Sequence, residues 1–182
     1  MNTQTINTTK WTIDPTHSEI NFKVKHLMIT NVTGSFGKFE INASTEGEDF
    51  TKSKIEFSAE TDSVSTGNTD RDNHLRSADF FDAANHPKIQ FKATGYKKGG
   101  DTDELTGDLT IRNITKSITL QVENSGIAKD PWGNLKAGFS ISGKLNRKDF
   151  GLTWNAAMET GGVLVSDEVK IMCEVQLVKV PA

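Results

Sequence analysis

The chain is poor in several features that mark whole classes of protein. Cys173 is its only cysteine, so no intrachain disulfide and no cysteine-rich zinc or iron–sulfur site can form. No run approaches the roughly 18 apolar residues that a membrane-spanning helix needs. The mean hydropathy of -0.47 agrees, and stable insertion by a helix is not expected. An excess of one charge is also missing. The 21 basic and 24 acidic residues are interspersed and leave a net charge of -3, which is not the footprint of a nucleic-acid binder.

Chemical motifs are equally scarce. There is no P-loop, no G-x-G-x-x-G and no G-x-S-x-G. The four histidines, His17, His26, His74 and His86, form no H-x-H or H-E-x-x-H pair, so no metal site is expected. Asp70, Asp72 and Asp82 do not follow the EF-hand order and read as helix-capping acids. Met1–Lys10 is polar, rich in Asn and Thr, and lacks the basic and apolar segments of a secretory signal. The expectation is a flexible stretch over 1–10 followed by one domain over 11–182, in a cytoplasmic protein. It would be periplasmic or secreted if a signal has been removed.

What the sequence has in abundance is period-two alternation. Ile20, Phe22, Val24 and His26 alternate with Asn21, Lys23 and Lys25, which predicts a strand with one buried face. The pattern recurs in Ile55 to Thr61, Ile89 to Ala93, Leu105 to Ile111, Ile118 to Val122, Leu135 to Gly143 and Val169 to Leu177. Cys173 falls on an apolar face, where a thiol acts as a small hydrophobe. Phe36 and Phe39 are three apart, so both rings share a face only if an extra residue enters the strand, and Gly37 suits such a bulge.

The segment Thr69 to Ala78 breaks the alternation. Thr and Asp offer N-caps and Leu75 with Ala78 is spaced at i, i+3, which predicts a short helix. Phe80 and Phe81 follow it, and His86-Pro87 marks the start of the next strand. About eight strands with one or two short helices, and no alternating helices, predict an all-β antiparallel fold. Closure into an eight-stranded barrel removes the exposed edges, and a two-sheet sandwich is the competing arrangement.

Periodicity leaves the interior open between two outcomes. Inward candidates include Phe22, Phe36, Phe57, Phe91 and Phe139, with Ala59, Ala93, Gly107, Ala137 and Gly143 on the same faces. Large beside small fits either an interdigitated core or a channel, although long strands make a tall barrel that is harder to fill. Around the helix, Arg71, Asp72, His74, Arg76 and Asp79 form either a solvated face or a polar rim with Phe80 and Phe81 at the entrance.

Ordered motifs run nearly the length of the chain: Trp11-Thr12-Ile13-Asp14, His17-Ser18-x-Ile20-x-Phe22-x-Val24-x-His26, and Gly34-x-Phe36-x-x-Phe39. Arg71-Asp72-x-His74-Leu75-Arg76-Ser77-x-Asp79-Phe80-Phe81-Asp82 follows, then Arg147-x-Asp149-Phe150-Gly151-Leu152-x-Trp154 and Asp167-Glu168-Val169-x-Ile171. Over Trp11 to Lys179 the sequence resembles the YceI-like family of bacterial lipocalin-like, polyisoprenoid-binding proteins. The resemblance implies an extended eight-stranded antiparallel lipocalin-like barrel with no catalytic residues; no cofactor and no metal are expected. Its ligand would be a polyisoprenoid, a quinone-type lipid or a similar amphiphile.

On that footing the lumen is expected to be lined by Phe22, Val24, Phe36, Phe39, Phe57, Phe80, Phe81, Phe91, Leu109, Phe139, Ile141, Trp154, Val169 and Ile171. His17, Arg71, His74 and Arg76 are the candidates for the rim or head group. Asn113 and Ser166 depart from the family, which often has Gly there. Two other functions stay open: an enzyme using His and Asp at the barrel mouth, and an interaction module with a filled core. A homodimer is also left open.

Overall fold

A computed structural model describes residues 5–182. The elements in chain order are β1 (Thr8–Ile13), β2 (Glu19–His26), β3 (Thr30–Phe36), β4 (Phe39–Glu46), β5 (Asp49–Glu60), β6 (Val64–Ser65), α1 (Thr69–Arg76), β7 (Lys88–Lys97), β8 (Asp103–Ile111), β9 (Ile114–Lys129), β10 (Leu135–Asn146) and β11 (Val165–Lys179). The alternation in each strand is matched by alternating burial. In β8, for example, Leu105, Gly107, Leu109 and Ile111 are buried while the residues between them are not.

Every pairing in the sheet is antiparallel, and β1 bonds both β4 and β11, which closes it into a barrel rather than a sandwich. Three staves are interrupted. β1 and β2 are separated by a 3-10 turn at Pro15–His17, β3 and β4 by Gly37-Lys38, and β5 and β6 by a 3-10 turn at Thr61–Ser63. With β7 to β11 they make the expected eight-stranded antiparallel barrel.

Two local differences have clear causes. Gly37 does not sit in a bulge of one continuous strand. The ladder breaks for two residues, where the Gly37 N–H donates to the Ser63 carbonyl and the Lys38 N–H to Ser63 Oγ. β1 begins at Thr8, with Thr8–Lys10 paired to Glu46–Ser44, so strand structure starts before residue 11. Met1–Gln4 of the expected flexible stretch lie outside the described residues.

Among the described residues there is one α-helix, and it forms where expected, but Asn68 rather than Thr69 or Asp70 caps it, accepting from the Arg71 N–H at 2.9 Å. Asp72, buried at the helix start, accepts from both the N–H and hydroxyl of Thr66. Arg76 donates to the carbonyls of Asp62 and Val64 and ties α1 to the end of the β5–β6 stave. α1 and the segment 77–87 thereby cover the gap between β6 and β7, which do not pair.

One end of the barrel is plugged. Trp11, 1% exposed, donates its indole N–H to Thr45 Oγ1 and packs on Phe50 at 5.3 Å, and Phe50 meets Phe139 edge-on at 4.9 Å. Ala137 and Leu177 are buried in the same region.

Candidate functional site

Above that plug the barrel encloses a cavity of about 360 Å³ whose wall is overwhelmingly apolar. Rings lying over glycines keep it open. Phe22 is directly opposite Gly34 across β2 and β3, and its ring atoms occupy the place where a Gly34 side chain would begin. The Phe91 ring covers Gly107 in the same way, and Leu120 covers Gly143. These large and small residues of the inward faces therefore pair within the wall, with the Phe22 and Phe91 rings lying over the glycines of the neighbouring strands. Cavities of this size are in the range that holds small-molecule ligands.

The mouth lies at the end opposite the plug. Among the cavity-lining residues, Lys25 and Arg71 are exposed, and His26, Thr66, His74, Trp154, Leu164 and Val165 are half-buried. They come from the end of β2, α1 and the turn before it, and the segment between β10 and β11 with the first residue of β11. His74 stands edge-on to Phe80 at 5.0 Å and to Trp154 at 4.6 Å, and its Nε2 lies 2.9 Å from Asp79 Oδ2. This aromatic cluster joins the helix side of the mouth to the β10–β11 segment.

Buried Arg147 holds that segment in place. Its Nε donates to the Ser166 carbonyl at 2.9 Å, and Nη1 donates to the carbonyls of Leu152 and Trp154 at 2.6 and 2.8 Å. Desolvation lowers its affinity for the proton. Nearby, Ser166 Oγ accepts from the Lys25 N–H and donates to the Glu168 carbonyl, which bridges an irregularity in the β2–β11 ladder. Serine at this position supplies bonds a glycine would not. Arg112 and Asn113 both adopt left-handed backbone in the two-residue β8–β9 turn, a geometry that asparagine tolerates almost as glycine does.

Most of the expected lumen residues line the cavity: Phe22, Val24, Phe36, Phe57, Phe80, Phe81, Phe91, Leu109, Ile141, Trp154, Val169 and Ile171. Phe139 faces inward but belongs to the plug, and Phe39 packs on the core without reaching the cavity. Alternation gives the face of a strand, not the height along the barrel, and height is what sets Phe139 apart; Phe39 is level in the ladder with the lining residues Ala59 and Ile89 but does not reach the cavity. Phe80 and Phe81 are both buried: Phe81 packs on Phe36 inside the lumen, whereas Phe80 stands in the mouth cluster against His74 and Trp154.

Of the rim candidates, Arg71 and His74 reach the mouth. Arg76 is turned to the carbonyls that tie down α1. His17 lies in the turn between β1 and β2, with its side chain 66% exposed and Nδ1 2.9 Å from Asp14 Oδ2.

Sequence reasoning missed Lys25 and Arg147 as lining residues. Lys25 was placed on the polar face of β2, but the shift in the β2–β11 register lies beside it. Arg147 stood in a recognisable motif with no local sign that its side chain turns inward. Cys173 lines the cavity, and burial pushes its thiol up to about 11, so the sulfur stays protonated and unreactive. Among the described residues, no group of three His, Cys, Asp or Glu side chains is placed to hold a metal.

A YceI-like domain model matches residues 11–177. A UPF0312 protein of Staphylococcus epidermidis is 40% identical over 163 residues, covering 89% of this chain and 93% of that protein. The crystal structure of the Campylobacter jejuni YCEI protein superposes with a TM-score of 0.73 at 34% identity, over 93% of this chain and 97% of that one. A polyisoprenoid binding domain from Saccharophagus degradans superposes with a TM-score of 0.64 at 16% identity, over 94% of this chain and 98% of that one. At that identity the last likeness is one of fold.

Proposed function

The chain belongs to the YceI-like domain family, and from that premise we propose that it binds a long-chain polyisoprenoid, an isoprenoid quinone or a similar amphiphilic lipid non-covalently in its lumen. The observation that carries this reading is the cavity of about 360 Å³, closed by the Trp11–Phe50–Phe139 plug at one end and open at a cationic mouth at the other. An apolar chain inserted there leaves water along its length, at about 25 cal/mol per Å² of buried apolar surface. Arg71 and His74 stand where a polar head would rest. The Saccharophagus degradans domain, named for polyisoprenoid binding, shares the barrel that makes this possible.

Storage or transport of the lipid, with no chemical change to it, is the role that this arrangement supports. His74, bonded to Asp79, is packed edge-on against Phe80 and Trp154, and we assign the pair to holding the mouth together. The test is to purify the protein from its native host without detergent, extract it with organic solvent and weigh the extract by mass spectrometry. One polyisoprenoid or quinone per chain is the expected result. A protein that carries no lipid and refuses added polyprenol refutes the reading, and turnover of a bound lipid would replace it with an enzymatic one.

A further inference from the structure

The β2–β3 hairpin is built against the local rules for a soluble turn. Leu27 and Met28 both adopt left-handed backbone, with φ of 54° and 61°, which bulky side chains seldom do. Glycine or asparagine would relieve that strain. The tip is nonetheless Leu27-Met28-Ile29, with Met28 51% and Ile29 78% exposed. Neither residue gains a core contact in exchange for being apolar.

Two further observations say what covers this tip. It is continuous with the mouth: Leu27 N–H donates to the Leu164 carbonyl at 2.9 Å, Leu164 lines the cavity, and neighbouring Val163 is 38% exposed. The hairpin's own charge is also cationic; the acids beside it are Glu159 in the turn next to Val163, and Asp167 and Glu168 in the β11 irregularity, which pair with Arg147, Lys148 and Lys144. Between Glu19 and Glu40 the sequence has no acidic residue, while Lys23, Lys25 and Lys38 all fall there. Among the described residues Lys23 and Lys25 have no carboxylate within ion-pair distance, so their charge is available to an outside partner.

We propose that the β2–β3 tip, with Val163 beside it, is a docking surface for an anionic lipid bilayer, which seats the barrel mouth on the membrane from which its cargo is drawn. Met28 and Ile29 enter the boundary between head groups and acyl chains, and Lys23 and Lys25 lie over anionic head groups. A water-insoluble chain then passes from bilayer to lumen without crossing bulk water. The proposal rests on the reading of the barrel as a lipid binder, and the experiment keeps the two apart.

The experiment is flotation with phosphatidylcholine vesicles made with and without phosphatidylglycerol, run in parallel with binding of a polyprenol delivered from ethanol. Met28→Asn with Ile29→Ser is the informative variant, because asparagine suits the left-handed position and the fold is kept. Trp132→Ser, at the equally exposed turn of the plugged end, is the control. The unaltered protein is expected to float with the anionic vesicles, and less so as salt rises. The tip variant should partition roughly tenfold to a hundredfold more weakly, the control should be unchanged, and all three should take up polyprenol from solution alike.

Flotation of the tip variant equal to that of the unaltered protein, or an equal loss in Trp132→Ser, overturns the proposal. So does a chain that takes up polyprenol but never floats, which leaves the lipid-binding reading intact. A chain that takes up no polyprenol at all refutes that reading instead. A tip variant that shifts the protein from dimer to monomer without changing flotation would make the tip a contact between copies and overturn the docking surface.

Discussion

Gly34→Ala should narrow the lumen from its own wall. A methyl group there would lie 2.2, 2.6 and 2.8 Å from Cζ, Cε1 and Cε2 of Phe22, closer than such atoms approach. The β2–β3 ladder fixes both backbones, so the ring has to leave the wall, and the space available to it is the lumen. A void of about 150 Å³ is enough to hold a benzene, so a phenyl group swung inward takes roughly two fifths of the 360 Å³ cavity. A tail that loses room for about seven carbons forfeits ~2 kcal/mol at ~0.3 kcal/mol per heavy atom, roughly a 30-fold weaker Kd. Overpacking should also lower stability by about 1–3 kcal/mol. Fluorescence-displacement titration with polyprenols of graded length reads the effect directly. The longest well-bound chain should shorten by about one or two isoprene units, and Gly95→Ala, which meets nothing within 4 Å, should behave as the unaltered protein. A folded Gly34→Ala protein that binds long chains normally would refute the idea that rings laid over glycines keep the lumen open.

Arg147→Met should cost about 3 kcal/mol or more, because several buried carbonyls lose their donor at once. Denaturant melts give the total, and hydrogen exchange should rise first in residues 151–165. Asp14 accepts from Lys136 Nζ at 2.6 Å, with Thr16 and His17 also bonded to it, and these contacts hold its carboxyl well below the usual carboxylate range. A folded-state pKa depressed in this way stabilises the fold above the unfolded value of about 3.9 and is lost as pH falls towards the folded one. Asp14→Asn should therefore flatten the acid limb of the stability curve, and an unchanged limb would exclude Asp14 as its source. With its thiol pushed up to about 11, Cys173 should alkylate at mildly alkaline pH on the order of a hundredfold more slowly in the folded chain than in the unfolded one. Equal rates would show that the sulfur is not shielded in the wall.

Strand identity and inward faces were legible because period-two burial writes itself into the sequence. Leu105 to Ile111 and Val169 to Leu177 needed nothing more. The helix was legible from its acids and spacing, although its cap is supplied by Asn68, a favoured N-cap one position before the segment read as helical. What period two cannot encode is distance along the barrel axis. Phe139 and Phe91 have equivalent patterns, yet one plugs the closed end and the other lines the cavity. Nor could periodicity choose between filled core and channel. That depends on rings such as Phe22 and Phe91 lying over glycines of neighbouring strands, a relation set by register. Arg147 and Arg76 turn to particular backbone carbonyls, and those partners exist only once the chain has folded.

The three interrupted staves lie side by side, so the barrel is two tubes joined end to end rather than one. Around the plugged end the hydrogen-bond hoop is complete, from β1 through β4, β5, β7 to β11 and back to β1, and its girth is fixed. Around the mouth the hoop is broken between β6 and β7, and α1 with its aromatic tail acts as a gusset across the split. Side-chain packing yields to a wider or narrower guest at less cost than a ladder of backbone bonds, which must break to stretch. Gauge at the bottom and give at the top would let one barrel grip a slender tail firmly while admitting head groups of different bulk.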